Sequence, residues 1–223
     1  MSKPKTLVFA AGTKDGGGGG FRKLVEASRA GILDAKIVGV VSNHENGGVW
    51  EKAGELDIPF IHFRGPWNAE GYQRIARESG ADFFALSGWL KLVTGLDPRT
   101  NFNSQTVFNI HPGPLPEFGG PGLYGHRVHE AVMAAYHRGE ISHSAVSMHF
   151  VTEKYDLGPI FFQMKVCIKD DDTPETLAQR VNHCEHMYQA EVTNLVVNGF
   201  ISWDGTNHRS VYPSMMSGRA FDE

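Results

Sequence analysis

The chain is 223 residues long, contains 41% hydrophobic residues and has a formal net charge of −4 at pH 7. These values suit one domain with a full core, and the lack of a long basic run disfavours a large nucleic-acid interface. Because no apolar run is long enough for a signal segment or a membrane span, and Cys167 and Cys184 are the only cysteines, we expect a soluble cytoplasmic protein.

The first half of the chain alternates short apolar strands with amphipathic helices. The pattern predicts strands at residues 6–11, 36–42, 59–63, 82–86 and 107–110, and helices at about 21–30, 49–56 and 69–79. This rhythm indicates an α/β fold with a Rossmann-like, mostly parallel sheet flanked by helices. The loops at the carboxyl ends of such strands meet at one edge of the sheet, where ligands bind.

The second half of the chain has longer elements. It predicts a helix at residues 124–138, strands at 144–151 and 160–168, and a helix from 174 to about 197. Thr173 and Pro174 are typical of an N-cap and the first helical position. We expect the two strands to extend the sheet as an antiparallel addition, and residues 201–223 to form a polar, irregular tail.

A glycine-rich loop at residues 12–20 follows the first predicted strand and precedes the first helix. Glycine lets backbone N–H groups approach an anion closely, and a helix N-terminus favours negative charge, so the loop predicts a phosphate site. A flexible surface loop is the alternative. The loop lacks the Gly-Lys-Ser/Thr ending of a P-loop, and no acidic residue closes the strand at 36–42 as in a dinucleotide site.

Three polar residues predict the chemistry: Asn109, His111 and Asp156. The first two share one face at the end of a predicted strand, ahead of a rigid Pro/Gly-rich loop. Asp156 lies in the loop between the strands at 144–151 and 160–168. An amide, a titratable ring and a carboxylate are the parts needed to move protons around a tetrahedral oxyanion. Alternatively, Asn109 and His111 satisfy each other in a buried turn, and Asp156 is only a turn residue.

Seven further histidines raise the question of a metal site: His126, His129, His137, His143, His149, His183 and His186. No set of them has the spacing of metal ligands, so we predict no metal and expect most of these side chains to be surface or packing residues.

The motifs resemble those of the folate-dependent formyltransferases. Asn-Ile-His-Pro at residues 109–112 and Asp-Leu-Gly-Pro at 156–159 form a specific pair, and the resemblance covers about residues 6–200. It includes the glycine-rich loop and Ser-Gly-Trp-Leu-Lys-Leu at residues 87–92. It implies formyl transfer from 10-formyltetrahydrofolate, a co-substrate, to the primary amine of glycinamide ribonucleotide in purine biosynthesis.

The resemblance also implies a role for each part of a single domain at residues 1–223. The phosphate-binding half would span about residues 1–105, and the catalytic and folate-binding half about 106–200. Asn109 and a protonated His111 would stabilise the oxyanion, and Asp156 would raise the pKa of His111. Glu185 would contact the amine.

The implied ligand contacts fall in three segments. Backbone N–H groups of Gly18, Gly19 and Gly20 would hold the phosphate. The folate would lie in a cleft lined by two segments, Leu90, Lys91, Leu92 and Val93 on one side and Val151, Thr152, Glu153, Lys154 and Tyr155 on the other.

The sequence departs from the family at three points. Members commonly carry serine or threonine and then asparagine where Gly19 and Gly20 stand, so we expect the backbone alone to hold the phosphate. Lys91 stands where an arginine is often found. Residues 117–126 form a longer loop than in the shortest members.

Three other functions remain open at this point. They are formyl transfer to another small amine, hydrolysis of 10-formyltetrahydrofolate, and non-catalytic binding of a nucleotide or folate. The family's hydrolases usually add an N-terminal regulatory domain, and pure binding would not need Asn109, His111 and Asp156 together. We expect small-molecule substrates, no nucleic acid, no membrane, and a monomer or homodimer.

Overall fold

The computed structural model describes residues 2–13, 16–213 and 215–221, with the side chains of Thr13 and 215–220 left out. Lys14 and Asp15 of the predicted loop therefore lie outside the described residues. The strands are β1 (Lys5–Phe9), β2 (Gly12–Thr13), β3 (Gly16–Gly17), β4 (Lys36–Ser42), β5 (Phe60–His62), β6 (Phe83–Ser87), β7 (Val107–His111), β8 (His143–Phe150), β9 (Ile160–Cys167) and β10 (Met215–Phe221). The helices are α1 (Gly19–Ala30), α2 (Gly48–Glu55), α3 (Ala69–Ser79), α4 (His126–His137), α5 (Pro174–Val197) and a 3₁₀ turn at His208–Ser210.

Eight strands form one sheet in the order β10-β9-β8-β7-β6-β1-β4-β5. Strands β7, β6, β1, β4 and β5 are parallel, whereas β8 runs antiparallel to both β7 and β9. The predicted parallel sheet with an antiparallel extension is confirmed. The strand order reverses beside β1, because the chain moves outward through β4 and β5 and then returns to β6. Ligands bind at such a switch point.

Side chains alternate across β1 and so feed a separate core on each face of the sheet. Val8 packs with residues of α1, α2, α4 and α5. Leu7 and Phe9 pack on the opposite face against α3 and an aromatic group that includes Trp89 and Phe102. Helices therefore cover both faces of the sheet.

The prediction of an irregular tail is wrong for its last part. Strand β10 pairs in parallel with β9, and Ser202 bridges Tyr212. Without β10, β9 would be an edge strand with unpaired backbone groups, so this pairing covers the edge. Phe221 is buried and packs against Tyr188 of α5.

The cap of α5 confirms the sequence pattern. The Thr173 side chain accepts a hydrogen bond from the Thr176 backbone N–H, and the Thr176 hydroxyl in turn accepts from the Thr173 N–H at 2.9 Å. Pro174 opens the helix, and Gly199 follows its end with a positive φ of 74°. This long helix packs against α1, α4, β8 and β9.

Candidate active site

Asn109 and His111 share one face of β7. The register of β7 with β8 places Asn109 opposite His149 and His111 opposite Ser147. Strand pairing therefore brings four polar side chains onto one patch of the sheet. The Ser147 hydroxyl donates to the Gly113 carbonyl at 2.8 Å, which fixes the start of the Pro/Gly-rich loop.

His149 orients the amide of Asn109. Its Nδ1–H donates to the Phe150 carbonyl at 2.8 Å, and its Nε2 lies 3.2 Å from Asn109 Nδ2 and 3.4 Å from Asp156 Oδ1. An amide nitrogen has two N–H groups, so one remains for a ligand. The sequence interpretation gave His149 no role of its own among the seven histidines, whereas its ring hydrogen-bonds within the polar cluster.

The imidazole of His111 is 4% exposed, and its Nε2–H donates to the Phe118 carbonyl at 2.7 Å. Its Nδ1 faces Asp156 Oδ2 at 3.8 Å. Burial lowers the pKa of His111, and this effect outweighs the charge of Asp156 and the Phe118 carbonyl, which act to raise it. Asp156 acts in the predicted direction. The predicted protonated His111 is nevertheless not the favoured state of the free site.

Asp156 stays ionised although its carboxylate is only 13% exposed. Burial acts to raise its pKa, but the contact with His149, the charge of His111 and the Gly120 N–H together hold the pKa below its usual range. The Gly120 N–H donates to Oδ2 at 2.9 Å, and Oδ1 lies 3.4 Å from His149 Nε2.

The backbone of the Asp156 loop is tightly constrained. Asp156 itself has a positive φ of 52°, which is uncommon outside glycine. A Cβ added to Gly119 would lie 2.8 Å from Asp156 Cβ, and one added to Gly158 would overlap the Phe150 carbonyl. These two glycines let the loop pass close enough to β8 to bring the carboxylate to the histidines.

A cavity of about 890 Å³ opens at the carboxyl ends of β1, β6 and β7. Asn109, His111 and Asp156 line it, so the structure brings the three predicted catalytic residues together in one accessible space. The glycines at 17–20 line the same cavity. Its size suits a cofactor-sized molecule.

The glycine-rich loop ends at the N-terminus of α1. Gly18 is the N-cap with a positive φ of 74°, and no side chain caps this helix end. Helix α1 begins at Gly19, two residues earlier than predicted, because Gly18 can adopt the left-handed conformation that turns the chain into the helix. Backbone N–H groups of the first turn therefore face the cavity.

The two predicted folate segments are adjacent. The Tyr155 hydroxyl donates to the Leu90 carbonyl at 3.5 Å, and the Gly95 N–H donates to Glu153 at 2.9 Å. Leu90 and Tyr155 line the cavity.

Other members of these segments lie elsewhere. Val93 and Val151 belong to the core beside α3, where the indole of Trp89 donates to the Tyr72 hydroxyl at 2.9 Å. Lys91 Nζ lies 4.1 Å from the centre of the Trp67 ring. Trp89 is mostly buried in this core and also lines the cavity. Leu92, Thr152 and Lys154 do not line the cavity.

One face of α5 forms the opposite wall of the cavity. The side chains there follow the i, i+3, i+4, i+7 spacing of a helical face: Asn182, Glu185, His186 and Gln189. Burial raises the pKa of Glu185 to about 7, against a hydrogen bond from Asn182 that lowers it. The sequence interpretation singled out only Glu185, because polar residues occur on several faces of this helix and do not mark one of them.

Two further properties concern only the residues that the structure describes. Among these, no group of three or more His, Cys, Asp or Glu side chains could hold a metal ion. Within the same residues, no helix is both long enough and apolar enough to cross a bilayer.

Comparison with known proteins gives consistent results. A family profile described as formyl transferase matches residues 5–193. The chain is 36% identical over 208 residues to a chloroplastic phosphoribosylglycinamide formyltransferase of Arabidopsis thaliana, covering 90% of this chain and 68% of the relative.

Two solved structures share the fold. Glycinamide ribonucleotide transformylase 1 from Symbiobacterium toebii aligns with a TM-score of 0.78 and 24% identity over 97% of this chain and 95% of its own. A formyltetrahydrofolate deformylase from Pseudomonas syringae aligns with a TM-score of 0.73 and 23% identity over 91% of this chain and 64% of its own.

Proposed function

The chain belongs to the formyl transferase family, and on that basis we propose that it transfers the formyl group of 10-formyltetrahydrofolate to the primary amine of glycinamide ribonucleotide. The observation that carries the proposal is the shared cavity. Asn109, His111 and Asp156 line it together with a glycine-rich helix N-terminus suited to a phosphate. An acceptor of this kind has its amine and its phosphate at opposite ends.

The first step is addition of the amine to the formyl carbon. The nitrogen lone pair forms the new C–N bond, and the carbonyl π electrons move to the formyl oxygen. Asn109 retains one N–H after its bond to His149, and this group would donate to the oxyanion. His149 acts as a positioning residue, because it sets the direction of the amide.

The second step moves a proton from the attacking amine to the folate nitrogen. The Nε2–H of His111 is held by Phe118, so the ring would take up the proton at Nδ1, on the side of Asp156. The nearby carboxylate favours this charged form of the ring. When the oxyanion electrons restore the carbonyl, the bond to the folate nitrogen breaks and that nitrogen receives the proton.

The acceptor would lie between α1 and α5. Its phosphate would meet the N–H groups of Gly18, Gly19 and Gly20, and its amine would meet Glu185. A carboxylate that titrates near neutrality is able to hold an ammonium group and to release the neutral amine for attack. The folate would enter from the side of Leu90 and Tyr155.

Two rivals make different predictions for the same assay. A hydrolase would use water as the acceptor, and the fold likeness to a deformylase makes this test necessary. A transferase for another small amine would share the folate side and differ at the phosphate. The cytoplasmic location stays a prediction, since the Arabidopsis relative is named as chloroplastic.

The deciding experiment follows release of tetrahydrofolate from 10-formyltetrahydrofolate with and without a panel of amines. We expect release only when glycinamide ribonucleotide is present, with stoichiometric formation of its N-formyl product. Release without any amine would favour the hydrolase. Release with a different amine and none with glycinamide ribonucleotide would refute the proposed acceptor.

A further inference from the structure

The glycine-rich loop carries no side chains at the two positions where α1 begins, yet polar atoms from elsewhere crowd those positions. A Cβ added to Gly20 would overlap Ser87 Oγ and lie 2.6 Å from Gln189 Oε1. A Cβ added to Gly19 would lie 3.0 Å from His186 Nε2. Groups from β6 and α5 thus occupy the space that side chains of the loop would fill.

Gln189 has no hydrogen-bond partner among the residues that the structure describes, although the residue as a whole is only 2% exposed. Its polar atoms are not sealed in the core but face the cavity, where a hydrogen-bonding ligand can pair with them. The side chain lines the cavity beside the N-terminus of α1, so a ligand in that position would supply the missing partner.

His186 and Lys52 border the same end of α1. His186 is one turn before Gln189 on the cavity face of α5. Lys52 lines the cavity from α2, and its Cδ lies 3.3 Å from the Cβ position of Gly18. Side-chain donors therefore approach the free N–H groups from both sides.

We propose that Gln189 and His186 of α5 recognise the phosphate of the acceptor through their side chains and so set the specificity of the enzyme for a phosphorylated amine. This inference rests on the proposed function. It replaces the expectation that backbone groups alone hold the phosphate. The Gln189 amide and the His186 ring donate to phosphate oxygens, and Gly19 and Gly20 are required because any side chain there would displace these two groups.

Steady-state kinetics with glycinamide ribonucleotide and with its dephosphorylated riboside test the proposal. Loss of one hydrogen bond to a charged phosphate weakens binding by about tenfold or more, so Gln189→Ala should raise KM for the ribonucleotide by that factor. His186→Ala should act in the same direction. Neither change should alter KM for the riboside or kcat at saturation by more than about twofold, since the phosphate is remote from the reacting atoms.

Met187→Ala is the matched control, because Met187 lies on the same helix, is 41% exposed and does not line the cavity. Its KM values should equal those of the wild type. Equal losses of affinity for ribonucleotide and riboside in Gln189→Ala would show a structural role and overturn the proposal. Wild-type KM for the ribonucleotide in both α5 variants would overturn it as well.

A second experiment tests whether a side chain at position 20 of the loop and the side chain of Gln189 on α5 compete for the same space beside the phosphate. Gly20→Asn should weaken ribonucleotide binding, because its side chain collides with Ser87 and Gln189. The same change in a Ser87→Ala/Gln189→Ala background should strengthen binding, since an amide at position 20 then replaces the lost one. Equal effects in both backgrounds would contradict the inference. A wild-type protein without ribonucleotide-dependent activity would instead reject the proposed function.

Discussion

Asp156→Asn isolates the charge of the carboxylate while preserving its shape. The asparagine Oδ1 can still accept the Gly120 N–H, which Asp156 Oδ2 accepts at 2.9 Å. The Asp156 loop should therefore keep its position. What is lost is the negative charge that faces the Nδ1 of His111, the atom that carries the proton in the proposed transfer.

The size of the loss follows from the distance. Across the 3.8 Å between His111 Nδ1 and Asp156 Oδ2, unit charges interact with about 4 kcal/mol at an effective dielectric constant of about 20. That energy corresponds to roughly a thousandfold in the population of protonated ring. Burial already lowers the pKa of His111, and without the Asp156 charge the Phe118 carbonyl would be the remaining group that acts to raise it. We expect kcat to fall about 10²–10⁴-fold, the range for one positioned acid–base group.

Single-turnover formyl transfer, measured beside thermal unfolding, is the appropriate assay. The variant should bind both substrates with affinities close to those of the wild type and remain folded. Asp156→Asn combined with His111→Ala should be no slower than His111→Ala alone, because the carboxylate acts through the ring. A folded Asp156→Asn protein with a wild-type single-turnover rate would refute the reasoning.

Three further predictions concern pH and packing. Glu185→Gln should abolish the rise in KM for the amine as pH falls through about 7. It should also stabilise the fold at pH 8 by up to about 3 kcal/mol in calorimetry, because the pKa of Glu185 is raised from 4.5 and its ionisation therefore opposes folding above pH 4.5. A less stable variant would contradict this prediction. Asp172→Asn removes the carboxylate that Arg180 contacts at 2.6 Å, and because the pKa of Asp172 is lowered from 3.8 to about 2, the variant should lose about 2 kcal/mol in the free energy of unfolding at pH 7. The stability that ionised Asp172 contributes is present above pH 4 and disappears as the pH falls towards 2. In urea titrations the unfolding free energy of the variant should therefore approach that of the wild type only near pH 2. The alanine side chain of Gly158→Ala would overlap the Phe150 carbonyl, so the variant should lose about 1–3 kcal/mol of unfolding free energy in thermal denaturation. It should also lose more folate affinity than the control variant Gly199→Ala. An unchanged unfolding temperature would show that the loop adapts.

Local sequence signals predicted most of the fold. Strand β4 and helix α3 have the predicted bounds, and Thr173 is the N-cap of α5 as predicted. Each of these elements carries its own signal, a β-branched run, an amphipathic period or a capping residue. Strand β10 was missed because its sequence, Met-Met-Ser-Gly-Arg-Ala-Phe, has no alternation of apolar and polar residues, and the strand forms through pairing with β9.

The active site was predictable only where its residues share one strand. Asn109 and His111 lie two apart on β7, so their proximity follows from strand geometry. His149 joins them because the antiparallel register of β7 and β8 places it opposite Asn109, and a single sequence does not specify that register. The net direction of the His111 pKa was not predictable for a related reason, since the sequence reveals the charged neighbour of the ring but not the depth of its burial.

The site holds three titratable groups, and their environments shift the pKa values of these groups in different directions. Burial lowers the pKa of His111 and favours its neutral form, whereas the hydrogen-bond partners of Asp156 lower the pKa of that carboxyl and keep it charged. Burial raises the pKa of Glu185 to about 7. A ring that is neutral in the free site is a ready proton acceptor, and it becomes a strong donor once it is charged. Proton uptake at His111 is thus favoured only when the attacking amine has acquired a proton to release, and Asp156 makes that transient state accessible. Neutral His111 and ionised Asp156 therefore form the resting state that formyl transfer requires.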